Sequence, residues 1–244
     1  MNDPASNFCS ACDPRIGSLR PTRGINARAA MLNAAFWGKG NRLTISFLEG
    51  DPALHRRVAD IAERWITETA ANIQFEFWIG ATRDPRYANL RIAFRPEKGS
   101  QSVVGKLALD VGRDEATMNL GWMSLDLADA QSNAVVLHEF GHALGLIHEH
   151  LSPVQPIDWN KENVVADLRQ TQGWDDATIE ANMFAQYDPN GIFATDVDPL
   201  SIMMYPIPAR WTNNGFSTGF NTSLTDKDRS LIVAAYGTPQ RLGL

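Results

Sequence analysis

The chain has 244 residues, 44% of them apolar and 20% charged, with 22 Lys and Arg against 28 Asp and Glu for a formal net charge of −6. That length can bury one sizeable core, as one domain or one domain of two lobes. The acidic balance without any basic run argues against a nucleic-acid surface, and no apolar run approaches the roughly 18 residues that a membrane span requires.

Residues 1 to about 40 are rich in Pro, Gly, Asn and Arg and show little periodicity, which predicts an irregular N-terminal arm. Leu43–Leu48 reads as a strand. Asp51-Pro52 then opens a helix to about Asn72, with Val58, Ile61, Ala62, Trp65 and Ile66 on one apolar face. His55 on that helix is expected to face solvent. Ile73–Ile79 and Leu90–Phe94 have the pattern of buried strands, and weaker strands follow near Ser102–Leu109 and Thr117–Leu120. A long helix spans about Asp129–Leu144. Beyond Gly145 the chain becomes loops and short helices, among them Lys161–Leu168 and Asp176–Ala185. Thr225-Asp-Lys-Asp caps a final helix whose apolar stripe is Ile232, Val233 and Tyr236. The pattern predicts an α+β fold. An upper lobe of mixed sheet with two helices (about 41–145) and a looser lower lobe (about 146–244) would flank a cleft.

The chemistry concentrates in residues 138 to 148, His-Glu-Phe-Gly-His-Ala-Leu-Gly-Leu-Ile-His. Residues four apart share a helix face, so His138 and His142 can address one metal ion. Gly145 can take the left-handed conformation that ends a helix and turns His148 back as a third ligand. Three imidazoles suit zinc and leave a coordination position open, as catalytic sites do. A structural site would be closed by four ligands, and no cysteine stands near. Glu139, beside the first ligand, is the expected general base for zinc-bound water.

This HExxHxxGxxH pattern resembles the metzincin zinc endopeptidases, and Ser201-Ile202-Met203-Met204-Tyr205 resembles the SxMxY methionine turn of the astacin family within them. Glu149, directly after the third histidine, is a further astacin-like feature. The resemblance covers roughly residues 41 to 237. After His150 the chain reads Leu-Ser-Pro-Val-Gln-Pro-Ile-Asp-Trp-Asn, not the Arg-x-Asp-Arg-Asp run of animal members, which is more similar to a bacterial or fungal branch. The resemblance implies a metzincin-like fold with an irregular lower lobe carrying the C-terminal helix, one catalytic zinc, and peptide or protein substrates. It also implies Met203 as an apolar base beneath the metal. Tyr205 would be an additional ligand at rest that swings away to stabilise the tetrahedral intermediate, and Glu149 a member of a buried network. His150 is expected to hydrogen-bond or pack rather than to bind metal. An edge strand near Thr117–Leu120, or the strand before it, would pair with substrate backbone.

Cys9 and Cys12 are the only cysteines, both in the N-terminal arm. Three readings stay open: a small disulfide, two free thiols, or a thiolate that fills the open zinc position and holds the enzyme latent. The astacin pro-segment FxGD motif is absent. The first residues lack the charged and apolar regions of a signal peptide. The expectation is nonetheless a secreted or exported monomer, with an intracellular location as the alternative. Two competing functions remain: a non-catalytic binding protein on the same scaffold, which should have lost the base or a ligand, and a zinc hydrolase of a non-peptide bond. The intact residues oppose the first, and Met203 with Tyr205 opposes the second.

Overall fold

The computed structural model describes residues 35–80, 83–152, 156–185 and 197–238. Five strands form one mixed sheet: β1 (Arg42–Phe47), β2 (Gln74–Trp78), β3 (Leu90–Ala93), β4 (Ser100–Ser102) and β5 (Met118–Leu120). Their order is β2-β1-β3-β5-β4, parallel throughout except for β4, which runs antiparallel to β5 at one edge. Six α-helices lie among the described residues: α1 (Pro52–Ala62), α2 (Arg64–Thr67), α3 (Asp129–Ala143), α4 (Lys161–Gln172), α5 (Asp176–Ile179) and α6 (Asp226–Tyr236).

Helix α1 starts where the sequence signals it. The Asp51 carboxylate accepts from Ala53 N at 2.6 Å, and Pro52 occupies the first turn, where its missing N–H costs nothing. The single helix expected as far as Asn72 breaks at Glu63, and α2 resumes with Trp65 wholly buried. The Trp65 indole donates to Leu137 O of α3 at 2.9 Å, so the break turns this ring onto the helix that carries the histidines.

The strand expected over Ser102–Leu109 is shifted. Pairing with β5 ends at Ser102, and Gly105–Asp110 is a 3₁₀ helix. Gly105 sits at φ +49°, where a Cβ would collide with the Ala35 carbonyl, so the chain turns there against an earlier segment. The Thr117–Leu120 region lies inside the sheet between β3 and β4; the edge is β4. His55 is likewise corrected: it is 8% exposed, stacked at 4.0 Å on Phe47, with its Nε2 2.8 Å from Glu49 O. Helix α4 runs past the expected Leu168 to Gln172 and ends at Gly173 in the left-handed conformation. The helix expected over Asp176–Ala185 changes after Ile179 to a π-helical turn, Glu180–Phe184.

Two apolar clusters organise the interior. The larger gathers the sheet, α1, α3 and α6, from Trp37 through Phe140 and Met203 to Tyr236. The smaller comprises Val164, Leu168, Ile179, Met183, Met204, Tyr205 and Ile207. Consecutive residues at 202–205 divide between them: Ile202 and Met203 enter the first, Met204 and Tyr205 the second. This turn therefore joins the two cores.

Candidate metal and catalytic site

Helix α3 is buried over most of its circumference, so its polar residues must be satisfied by what packs on it. Its C-terminal turn is a Schellman arrangement. Gly145, at φ +99°, donates to His142 O at 2.8 Å, and Leu146 N donates to Gly141 O at 2.9 Å. The reversal brings His148, in extended conformation, back over the helix end.

The result is a triangle of imidazole nitrogens. His148 Nε2 lies 3.1 Å from His138 Nε2 and 3.1 Å from His142 Nε2, close to the ~3.3 Å expected of nitrogens about 2.0–2.1 Å from one tetrahedral zinc. The opposite ring nitrogens fix the tautomers. His138 Nδ1 donates to Ile202 O at 2.8 Å and His142 Nδ1 to Leu146 O at 2.9 Å. A carbonyl can only accept, so the proton resides on each Nδ1 and the Nε2 lone pair faces the centre. Burial pushes the His138 imidazole down to about 4 and that of His142 to about 3, and holds His148 well below its usual value. All three rings are kept in the neutral, ligating form. This donor set fits one zinc ion. Among the described residues, no other His, Cys, Asp or Glu group meets the same convergence.

Glu139 is 3% exposed, and its Oε2 has no hydrogen-bond partner among the described residues. Burial raises its carboxyl to about 8; a dication at the adjacent histidines opposes that shift and favours the carboxylate. Glu139 opens onto a cavity it shares with His138, Tyr205, Pro206, Phe220 and Val135. The Tyr205 ring lies 4.1 Å from the His148 ring and 4.5 Å from that of His150.

Met203 packs directly on the ligand helix. A Cβ at Gly141, which lies between His138 and His142, would meet Met203 Sδ at under 3.0 Å. Glu149 N donates to Met203 O at 3.0 Å, and its partly buried carboxylate accepts from Asp198 N at 3.0 Å. Burial raises that carboxyl to about 7. His150 is buried, with its Nε2 donating to Asn182 O at 2.8 Å on the π-helical turn. His138, Glu139, His142, Gly145, His148, Glu149, Met203 and Tyr205 are thus brought together, whereas Cys9 and Cys12 lie outside the described residues. Arg210 pairs with Asp167 and does not line the cavity beside Glu139.

Sequence reasoning missed the supports. Trp37 Nε1 donates to Ala143 O at 2.8 Å and Tyr236 Oη to Leu144 O at 2.7 Å, which satisfies carbonyls at the end of α3 from both flanks of the chain. Asp228 was visible as an acidic residue in a helix first turn; its bonds to the methionine turn had no local signal.

The chain matches the family model described as Astacin, a peptidase family, over residues 52–237. Among solved structures it is similar to myroilysin in two determinations. One has 33% identity and a TM-score of 0.79, covering 86% of this chain and 98% of that one. The other has 32% identity and a TM-score of 0.62, covering 83% and 86%. No curated protein matches.

Proposed function

The chain belongs to the astacin family of zinc metalloendopeptidases, and on that premise we propose that Glu139 is its general base, Tyr205 its oxyanion donor and β4 its docking edge for substrate backbone. The observation that carries this reading is the convergence of three Nε2 atoms beside a buried carboxylate oxygen without a hydrogen-bond partner among the described residues. Zinc held by His138, His142 and His148 would supply Lewis acidity and bring the pKa of a bound water to about 7.

The remaining work falls to the chain. Glu139 would receive the proton of the attacking water at Oε2, which has no hydrogen-bond partner among the described residues, and return it to the departing amine. Tyr205 offers a phenolic O–H to the oxygen on which charge develops, the kind of donor whose loss costs about 10²–10³ in rate. The Nδ1 bonds to Ile202 and Leu146 hold two ligand rings in one orientation. β4 lies at one sheet edge and packs against α3, the helix that carries Glu139, which makes it the edge to offer an extended peptide. Away from His138, Glu139 and Tyr205, the cavity beside Glu139 has walls from Val135, Ile202, Met204, Pro206 and Phe220 and no Lys or Arg among the described residues, which favours an apolar substrate side chain.

The N-terminal arm adds a regulatory element. A thiolate from Cys9 or Cys12 would occupy the open coordination position and keep the enzyme latent until the arm is removed.

The test is cleavage of a mixed peptide library by the parent protein, with and without chelator, beside Glu139→Gln. Glutamine keeps the shape and loses the base, so peptidase activity should fall by about 10²–10⁴; cleavage at the parent rate would overturn the assignment. Removing the first 30 residues, or changing both cysteines to serine, should raise activity. Unchanged activity in both would dismiss latency.

A further inference from the structure

Asp228 stands at the third position of helix α6, in a segment remote in sequence from every metal ligand. Its carboxylate is 5% exposed and holds three donors. Oδ1 accepts from Ser201 Oγ at 2.6 Å, while Oδ2 accepts from Ile202 N at 3.0 Å and from Thr225 N at 2.9 Å. The Thr225 bond belongs to the capping box of the helix, completed by Asp228 N donating to Thr225 Oγ1. The other two bonds serve no helix. They grip the turn at 201–203, whose Ser201 Oγ in turn accepts from Met203 N at 3.0 Å.

That turn is the platform of the metal site. Ile202, whose N–H Asp228 holds, presents its carbonyl to His138 Nδ1 at 2.8 Å. Met203 lies against Gly141 of the ligand helix. Its carbonyl accepts from Glu149 N, the residue after His148. A single buried carboxylate therefore bonds the residue whose carbonyl aims His138, and lies one residue from the carbonyl that braces the chain after His148.

We infer that Asp228 is a positioning residue for the zinc site: it fixes the methionine turn so that Ile202 O holds the His138 ring in its ligating tautomer and direction. This rests on the zinc assignment, but it concerns affinity for the ion rather than the reaction. Helix capping alone would make Asp228 a local stabiliser without effect on metal. The carbonyl that orients a ligand typically matters by about 10–100-fold in metal affinity. Asp228 acts through that carbonyl, so a loss near the lower end, about 10-fold, is expected.

The experiment measures zinc affinity of the full chain by competition with a chelator, using zinc alone as the probe. Asp228→Ala should bind zinc about 10-fold more weakly than the parent. Asp228→Asn should stay within about 3-fold: its amide oxygen can replace Oδ2 toward Ile202 and Thr225, and its N–H₂ can donate to Ser201 Oγ. Leu43→Ala, a cavity variant in β1, supplies a loss of stability by another route and should leave zinc affinity within about 3-fold of the parent. Ser201→Ala removes half the grip and should weaken zinc binding even if Asp228→Ala fails to fold. Parent-like affinity in Asp228→Ala, or in Ser201→Ala should Asp228→Ala not fold, overturns the inference. An equal loss of affinity in Leu43→Ala overturns it too. If no variant and not even the parent binds zinc, the metal assignment itself has failed, which is a separable result.

Discussion

Replacing Gly141 by alanine sets two effects of opposite sign against each other in the middle of the ligand helix. Alanine is favoured over glycine in a helix interior by about 0.8–1.0 kcal/mol, so propensity alone predicts stabilisation. Packing predicts the reverse. The new Cβ would lie under 3.0 Å from Met203 Sδ and 3.2 Å from Trp65 Cζ2, with Met203 2% and Trp65 0% exposed. Relief requires the sulfur to retreat by more than about 1 Å to reach van der Waals separation, inside a close-packed interior. Methionine adapts better than most side chains, so the cost should fall in the usual overpacking range of about 1–3 kcal/mol. Subtracting the propensity gain leaves a net destabilisation of about 1 kcal/mol, or a fall of about 2–4 °C in Tm for a chain of this size. The decisive assay is a double-mutant cycle on the metal-free protein, read by denaturant unfolding. In a Met203→Ala background the sulfur clash is gone and only the tight Trp65 contact remains, so Gly141→Ala should turn from destabilising to stabilising, by up to about 1 kcal/mol. If Gly141→Ala stabilises the parent as well, the close approach of Met203 to the helix does not exist in solution.

Other expectations follow from single contacts. Burial would raise the Glu68 carboxyl, but hydrogen bonds from Arg64 and Arg229 outweigh it and hold the group below 4.5. A depressed carboxyl stabilises the fold above its unfolded value and loses that contribution as pH falls. Glu68→Gln should therefore cost about 0.5 kcal/mol at pH 7, after allowing for solvent screening, and nothing near pH 2; a pH-independent difference would contradict the pairing. Arg91 is 3% exposed and donates to the carbonyls of Ala88, Val111, Gly112 and Glu115. Arg91→Met would strand these acceptors and should cost at least about 3 kcal/mol by denaturant unfolding. Stripping the ion with chelator should lower the thermal midpoint, since zinc at 100-fold over its Kd contributes about 2.7 kcal/mol to the folded state. A midpoint indifferent to chelator would mean that the histidine triangle binds no ion.

The convergence of the candidate site was legible in the sequence because it is local. His138, Glu139, His142, Gly145 and His148 lie within eleven residues, and helix geometry with one left-handed turn suffices to converge them. Met203 and Tyr205 were legible through the register of a five-residue motif. What escaped depends on partners far along the chain. The three-residue strand β4 exists only through its pairing with β5, and nothing in Ser-Gln-Ser announces it. The pause at Glu63 carries no glycine or proline and shows only in the demand of Trp65 for the Leu137 carbonyl. His55 looked like a surface residue because polarity was its only local signal; Phe47 and Phe94 stack on it from other strands and loops. Asp228 and Glu149 were visible as acids, but their bonds to residues 198–202 span 26 to 49 positions and leave no periodic trace.

The two donors that close helix α3 bear on how the protein can be cut. Pro52 after Asp51 offers an inviting start for a shortened fragment, since a well-capped helix begins there. Such a fragment would discard β1, the strand hydrogen-bonded to both β2 and β3, and with it the Trp37 indole that satisfies Ala143 O. Ending before Tyr236 would likewise bare the Leu144 carbonyl. The smallest piece able to hold the three histidines in place therefore runs from about Ala35 to Gly237, just over 100 residues upstream and nearly 90 downstream of the histidine motif it serves.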